Sequence, residues 1–267
     1  MPHHGRETEP FLGPGAATAV RPDVPHPASG AIPGPIIGGA ARSPIGVPGP
    51  TGDGSVMGLA DAYLGAATQA VTLLSAPEVA ASWEKPSALA EMSVAALAGH
   101  LAYQVFSVTP ALRESASGQA PIPLLEHYAR AAWIDAPLDS EVNTGIRAKG
   151  AEIASEGVRA LLDRADAELA RQRFALPEIP GDRAVFLPRT GWALSLDDFL
   201  VTRMTELAVH LDDLAVSVGI PAPELPAAAF DPVLALLARL AARRHGRTAL
   251  LRALTRAERA PSAINAL

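Results

Sequence analysis

The segment between Leu196 and Gly219 places the strongest constraint on the fold, because its apolar residues recur at helical spacing over several turns. Glu206 and His210 stand four positions apart within it, which puts both on one side of a helix with Cβ atoms about 5–6 Å apart. Such a carboxylate and imidazole either bond to each other or share one metal ion, and their spacing alone does not decide between these roles. A metal site needs a third donor from elsewhere in the chain.

Composition limits the classes of function. Of the 267 residues, 49% are hydrophobic and 19% are charged, which is enough apolar material for a sizeable core. The formal net charge of −6 argues against nucleic acid as the main partner, since phosphate binding needs clustered Lys and Arg. No apolar run approaches the roughly 20 residues of a membrane span, and the N-terminus lacks a signal-peptide pattern. We therefore expect a cytoplasmic protein without a membrane partner.

The sequence contains no cysteine. Disulfides, thiolate metal ligands and cysteine nucleophiles are therefore excluded within the chain. Any bound metal must be held by His, Asp or Glu, and any thiol in a reaction must arrive as a small molecule.

The chain divides into three parts by composition. Residues 1–54 are dense in Pro and Gly and are predicted to be a disordered tail, because such a segment buries too little apolar surface to offset its ordering entropy. Residues 55–220 carry long helical patterns separated by loops. Residues 221–267 form a short extension that also has helical character.

Four long helices are predicted within residues 55–220, which favours an all-α helical bundle. No convincing strand is present there, and the nearest candidate is the short run from Ala184 to Leu187. The four helices are expected, in chain order, from residue 55 to about Ser75, after the N-cap residue Ser93 to about residue 115, from Thr144 to Phe174, and from the N-cap residue Ser195 to Gly219.

The C-terminal extension is predicted to begin its helix at Asp231 and Pro232, a favourable helix opening. A second amphipathic piece follows His245. Its arginines form either a solvated face or an anion-binding patch over the bundle, and they are Arg247, Arg252, Arg256 and Arg259.

His100 is the natural third donor. It stands on the second predicted helix beside Leu97 and Leu101, which belong to the apolar stripe. A histidine in that setting is more often a hydrogen-bonded core residue than a ligand. Sites in helical bundles, however, are built from inward side chains on facing helices, so His100 can complete a set with Glu206 and His210.

Two sequence blocks resemble the mycothiol-dependent maleylpyruvate isomerase N-terminal domain, a family of the DinB-like superfamily of four-helix metal-binding bundles. The first block contains, in the family's order, Trp83, Pro86–Ser87, Ser93–Val94, Leu97 and His100. The second block follows the pattern Arg-x-x-Glu-x-x-x-His-x-x-Asp-Leu and contains Arg203, Glu206, His210, Asp213 and Leu214.

The resemblance implies that His100, Glu206 and His210 bind a divalent metal ion, with zinc as the ion that the family suggests. Two imidazoles and one carboxylate suit zinc and leave a position open for water or substrate, although nickel and iron(II) accept the same ligand types. Such an ion deprotonates a coordinated thiol. Because the chain has no cysteine, mycothiol is the thiol that the resemblance implies, acting on a small electrophilic substrate.

Characterised isomerases of this type carry a separate C-terminal α/β domain that contributes an arginine to the site. The extension at residues 221–267 is short and looks helical, so isomerisation of maleylpyruvate itself is not expected unless an arginine of the extension takes that role.

Roles are also predicted for four further residues. Asp213 either orients a ligand histidine by accepting its free N–H or pairs with an arginine at the surface. Arg203 is expected to form an ion pair on the helix face. His127 and His245 have no evident partner, so surface or capping roles are expected for both.

Three interpretations of the protein's function remain open at this point. The first is a thiol-dependent transferase or isomerase with a catalytic metal. The second is a non-catalytic metal-binding bundle in which the ion ties helices together or serves a partner. In the third, His100, Glu206 and His210 form a buried polar network without any metal.

Overall fold

The computed structural model describes residues 58–113 and 118–267, which fold mainly into helices, as the sequence predicts. The expected disordered tail at residues 1–54 lies outside the described residues. The helices are α1 (Leu59–Leu74), α2 (Pro77–Ala81), α3 (Val94–Phe106), α4 (Val108–Arg113), α5 (Leu124–Ala129), α6 (Glu141–Ala154), α7 (Val158–Ala175), α8 (Leu196–Val218), α9 (Ala227–His245) and α10 (Arg247–Thr255). Short 3₁₀ turns follow α7 and α10.

The hydrophobic core lies between α1, α3, α7 and α8. Helix α1 contacts α3, α7 and α8, and α3 also contacts α7 and α8. The large side chains at its centre are fully buried and include Tyr63, Leu97, Leu101, Leu207 and Leu211. Helix α6 packs on the outer side of α3, and α9 packs against α1 and α8. The core therefore fixes α3 and α8, the two helices that carry the candidate ligands.

Helix α8 has the ends that its sequence predicts. The Ser195 side chain accepts a hydrogen bond from the backbone N–H of Asp198 at 3.1 Å, which satisfies a free donor of the first turn. Gly219 ends the helix in the left-handed conformation, with φ 76°, where glycine carries no steric penalty. Both ends depend on local sequence, which explains why they were predictable.

Two of the predicted long helices are interrupted. Residues 144–174 form α6 and α7, separated at Gly157, whose φ of 88° breaks the helical path and is accessible to glycine at low cost. The second predicted helix ends at Phe106, and α4 follows it. Pro110 explains this break, because it has no N–H to donate to the carbonyl of Phe106.

A small hairpin precedes α8, and the prediction that residues 55–220 contain no strand is wrong at this point. Strand β1 (Ala184–Leu187) pairs antiparallel with β2 (Trp192–Ser195), with Ala184 opposite Ser195. The backbone N–H of Ile122 donates to the carbonyl of Ala193 at 2.9 Å. The hairpin thus holds the segment that leads into α5.

The C-terminal extension is helical, but its first helix begins earlier than predicted. Helix α9 starts at Ala227, after Pro226 at the N-cap position, so Pro232 lies inside the helix rather than at its opening. Helix α10 packs on α9 and buries no residue completely. Among the described helices, none combines the length and the apolar character that a bilayer-crossing segment requires.

Candidate metal centre

The candidate ligands His100, Glu206 and His210 meet at one point between α3 and α8. Nε2 of His100 and Nε2 of His210 each lie 3.4 Å from Oε2 of Glu206. One donor atom from each residue lies within 4.8 Å of the other two. The imidazole rings stand edge to face, with centroids 4.6 Å apart. Donor atoms from two distant segments of the chain therefore converge.

The site reaches the surface. The side chains of His100 and Glu206 keep 13% and 22% of their area exposed, and that of His210 keeps 17%. Helix α8 brings Glu206 and His210 to one side because they stand one turn apart, while Leu207 and Leu211 beside them are buried in the core. The donors are thus rigidly anchored but accessible to a small molecule.

A close contact between glycines fixes the position of His100. Gly99 on α3 and Gly150 on α6 face each other so closely that a Cβ atom on Gly99 would overlap the carbonyl oxygen of Gly150. A Cβ atom on Gly150 would overlap the carbonyl oxygen of Ala96 and lie 3.3 Å from the backbone nitrogen of His100. Glycine at both positions therefore allows α6 to support the backbone that carries His100.

Asp213 orients one imidazole. Its Oδ2 lies 2.9 Å from Nδ1 of His210, the ring nitrogen that does not face Glu206. A carboxylate at Nδ1 holds a proton on that nitrogen, so when the ring gives up its other proton, the lone pair of Nε2 becomes available to bind an ion. Of the two roles considered for Asp213, the contact supports orientation of the histidine. Asp213 is not among the three donors that converge.

The ionisable groups influence one another strongly. Burial opposes a charge on His210, but the carboxylates of Asp213 and Glu206 outweigh it and raise its pKa to about 9. Burial also favours a neutral Glu206, yet hydrogen bonds from the two histidines hold its pKa below the usual range. The pKa of His100 is lowered, mainly by burial. At neutral pH the metal-free cluster therefore holds a Glu206 carboxylate beside one charged and one neutral imidazole.

The donor set fits a divalent ion. Two ligands that each lie about 2.1 Å from a tetrahedral ion are separated by about 3.4 Å, and both histidine–glutamate distances are 3.4 Å. When no ion is bound, these 3.4 Å contacts are long hydrogen bonds. Two imidazoles and a carboxylate match the zinc sites that keep one position open.

Arg203 does not form the expected ion pair on the helix face. Its Nη1 donates to Oε1 of Gln104 at 2.6 Å, and its Nε donates to the hydroxyl of Thr202 at 3.1 Å. The side-chain amide of Gln104 in turn contacts His100. The prediction failed because the partner comes from α3, ninety-nine positions away. Gln104 itself was overlooked, although a glutamine on an apolar helix face, four residues after a candidate ligand, is a usable signal.

His127 is not a surface residue without a partner. Its Nδ1 accepts a hydrogen bond from the indole N–H of Trp192 at 3.1 Å, so the hairpin and α5 are joined beside the site. Burial, reinforced by the positive charge of Arg203, lowers the pKa of His127 to about 4. His245 lies apart from the site, with Nε2 2.8 Å from the carbonyl oxygen of Asn265.

The arginines of α10 are not part of the candidate centre. Exposed side chains line a shallow groove on α10 and the turn after it, and these include Arg252, Arg256 and Arg259. Arg247 is also exposed. The exposure of these arginines agrees with the interpretation that they form a solvated face. The alternative, an anion-binding patch, stays a prediction.

Comparison with known proteins gives one family match. The family model described as the mycothiol maleylpyruvate isomerase N-terminal domain matches residues 64–215, more than half of the chain. The matched region contains His100, Glu206, His210 and Asp213, and it confirms the resemblance found in the two sequence blocks. Neither the curated proteins nor the solved structures gave a match.

Proposed function

The chain belongs to the mycothiol maleylpyruvate isomerase N-terminal domain family, and we propose that it binds a divalent metal ion and promotes the attack of a small thiol on an electrophilic substrate. Zinc is the proposed ion and mycothiol the proposed thiol. The proposed ligands are His100, Glu206 and His210. Contacts among α1, α3, α7 and α8 support the proposal that these helices form the four-helix bundle of DinB-like proteins.

The observation that carries this proposal is that three donors converge while the neighbouring carboxylate, that of Asp213, contacts His210 instead. Asp213 is engaged with Nδ1 of His210, so it is not available as a fourth ligand in this arrangement. Three protein ligands with one open position are typical of catalytic zinc sites, whereas structural sites are closed by four. The partial exposure of the donors supports the same interpretation.

The residues around the site have definable tasks. An ion bound here lowers the pKa of a thiol, so that a thiolate is available at neutral pH. Glu206 supplies the negative charge that partly balances the ion and lies between the two imidazoles. Asp213 fixes the tautomer and the ring orientation of His210. Arg203 adds a positive charge one turn before Glu206.

Metal analysis of the purified protein beside the variants His100→Ala and Glu206→Ala tests the ligand assignment. We expect about one equivalent of metal in the wild type and a loss of affinity of more than about a hundredfold in each variant, since removing only a group that hydrogen-bonds to a ligand usually costs about 10–100-fold. His245→Ala is the control, because His245 lies apart from the site. Wild-type affinity in both ligand variants would leave only the metal-free polar network.

Activity is tested with fully loaded protein, mycothiol and a panel of electrophiles that includes maleylpyruvate and epoxides. We expect substrate loss that requires both the metal and the thiol. Full metal occupancy without any thiol-dependent reaction would favour the alternative, a non-catalytic metal-binding bundle with a structural or partner-binding role.

A further inference from the structure

Gln104 lies beside the candidate ligands, and its geometry indicates that it contacts a molecule bound at the site. Its side chain is 1% exposed, so each of its polar atoms needs a partner within the protein or in the site. It lies on α3 one turn after His100, on the side that faces Arg203 of α8.

The orientation of the Gln104 amide follows from its partners. The guanidinium of Arg203 can only donate, so the atom that it contacts at 2.6 Å must be the oxygen, Oε1. The amide nitrogen therefore faces His100. One of its two N–H groups donates to the backbone carbonyl of His100 at 3.0 Å.

The other N–H of Gln104 faces Nε2 of His100, a partner that it has to share with Glu206. Nε2 of Gln104 lies 3.4 Å from Nε2 of His100, the same nitrogen that lies 3.4 Å from Oε2 of Glu206. That nitrogen cannot accept from Gln104 and donate to Glu206 at the same time. Once His100 uses its Nε2 lone pair to bind an ion, it can no longer accept from Gln104 at all.

We propose that Gln104, held by Arg203, is a positioning residue: when an ion occupies Nε2 of His100, the side-chain N–H of Gln104 that faces this nitrogen donates instead to the sulfur of an exogenous thiolate bound at the site. The inference rests on the proposed function and deepens it. A hydrogen bond from a buried amide to a charged sulfur stabilises the thiolate form and directs the thiol to one side of the site. Arg203 acts through Gln104, because its contact fixes which end of the amide faces the ion.

The test measures thiol binding rather than turnover. Full-length protein loaded with Co²⁺ is titrated with 2-mercaptoethanol, and the sulfur-to-cobalt charge-transfer absorption gives the dissociation constant. Gln104→Met, which keeps the volume and loses the donor, is expected to weaken thiol binding about tenfold. Its affinity for Co²⁺, measured by competition with a chromophoric chelator, is expected to stay within about threefold of wild type.

Gln172→Leu is the matched control, because Gln172 is equally buried but bonds to Tyr63 and the carbonyl of Val105, away from the site. We expect this variant to lose stability and keep wild-type thiol affinity. If Gln104→Met does not fold, Gln104→Glu serves instead, since it retains an acceptor for Arg203 and lacks the N–H.

The outcomes separate the two proposals. Wild-type protein that binds no Co²⁺ overturns the proposed function and this inference together. Co²⁺ binding without a thiol signal overturns the thiol-dependent part and the inference. Thiol affinity in the Gln104 variant equal to that of the wild type overturns the inference alone.

Discussion

Oδ2 of Asp213 and Nδ1 of His210 lie 2.9 Å apart, and this contact points the other ring nitrogen, Nε2, at Glu206. Together with the contact between His210 and Glu206, it links three residues of α8 spaced by four and three positions. A single helix therefore supplies two candidate ligands and the group that orients one of them. The spacing Glu-x-x-x-His-x-x-Asp therefore places two of the three candidate ligands and their orienting carboxylate on one helix. Helix α3 supplies the third candidate ligand, His100.

Replacing Asp213 by Asn is expected to weaken zinc binding about 10–100-fold, the usual effect of removing the carboxylate behind a ligand histidine. The amide still accepts a hydrogen bond, but it no longer strengthens the donor power of the imidazole with a negative charge. Competition with a chromophoric chelator measures the affinity. Asp212→Asn is the control, since Asp212 is the exposed neighbour on the same helix. Equal losses in the two variants would assign the effect to net charge.

The metal-free protein is expected to lose stability as the pH rises from about 6.5 towards 9. The folded state raises the pKa of His210 from 6.5 to about 9, so the folded protein holds a proton that the unfolded chain releases in this range. The contribution is complete below pH 6.5 and disappears above the folded-state pKa. Urea denaturation at several pH values in the presence of a chelator measures it.

Asp213→Asn should flatten that pH profile, because the largest favourable interaction of the charged His210 is its hydrogen bond to Asp213. An unfolding free energy of the metal-free wild type that stays constant or increases between pH 6.5 and 9 would contradict this interpretation of the cluster.

Gly150→Ala is expected to destabilise the fold by about 1–3 kcal/mol, the usual range for an inserted methyl group in a tightly packed interface. Here the new Cβ meets backbone atoms of α3 beside His100, which cannot move out of the way as a side chain can. We also expect weaker metal binding, since relief of the overlap displaces α3. Thermal denaturation and chelator competition measure the two effects.

Gly145→Ala is the matched control on the same helix. No atom outside its immediate neighbours lies within 4 Å of a Cβ placed there, so the substitution gains helix propensity without a clash. A Gly150→Ala variant as stable as Gly145→Ala would show that α6 and α3 are not in close contact at this position.

We expect the ionisation of His127 to give the stability of the fold the opposite pH dependence in the acid range. Its pKa is lowered from 6.5 to about 4, so the unfolded chain takes up a proton between these values before the folded protein does. The stability that depends on neutral His127 is present above pH 6.5 and is lost as the pH falls towards 4. His127→Gln should reduce this acid slope in urea denaturation, whereas His245→Gln should leave it unchanged.

The sequence predicted those parts of the molecule that depend on short-range patterns. Helix α8 was located with both ends because Ser195 and Gly219 act on adjacent backbone groups. Glu206 and His210 were paired by helical spacing. His100 was proposed as the third donor because bundle sites use inward side chains on facing helices, and the resemblance of two blocks to a known family supported it with long-range information that periodicity lacks.

The features that escaped prediction depend on contacts between distant segments. Strand β1 has too few residues for a clear alternating pattern, and its pairing with β2 becomes evident only in three dimensions. Charged residues continue with helical period through Gly157, so the break between α6 and α7 was hidden. Arg203 with Gln104, and Trp192 with His127, each join different elements, and no local pattern specifies such pairs.

The placement of the donors on α3 and α8 also has a topological consequence. An ion bound by His100 together with Glu206 and His210 closes a loop of about a hundred residues, comparable in span to a long-range disulfide. Under the proposed function, a chain without cysteine would thereby have a reversible cross-link that depends on the supply of metal rather than on the redox state of its surroundings.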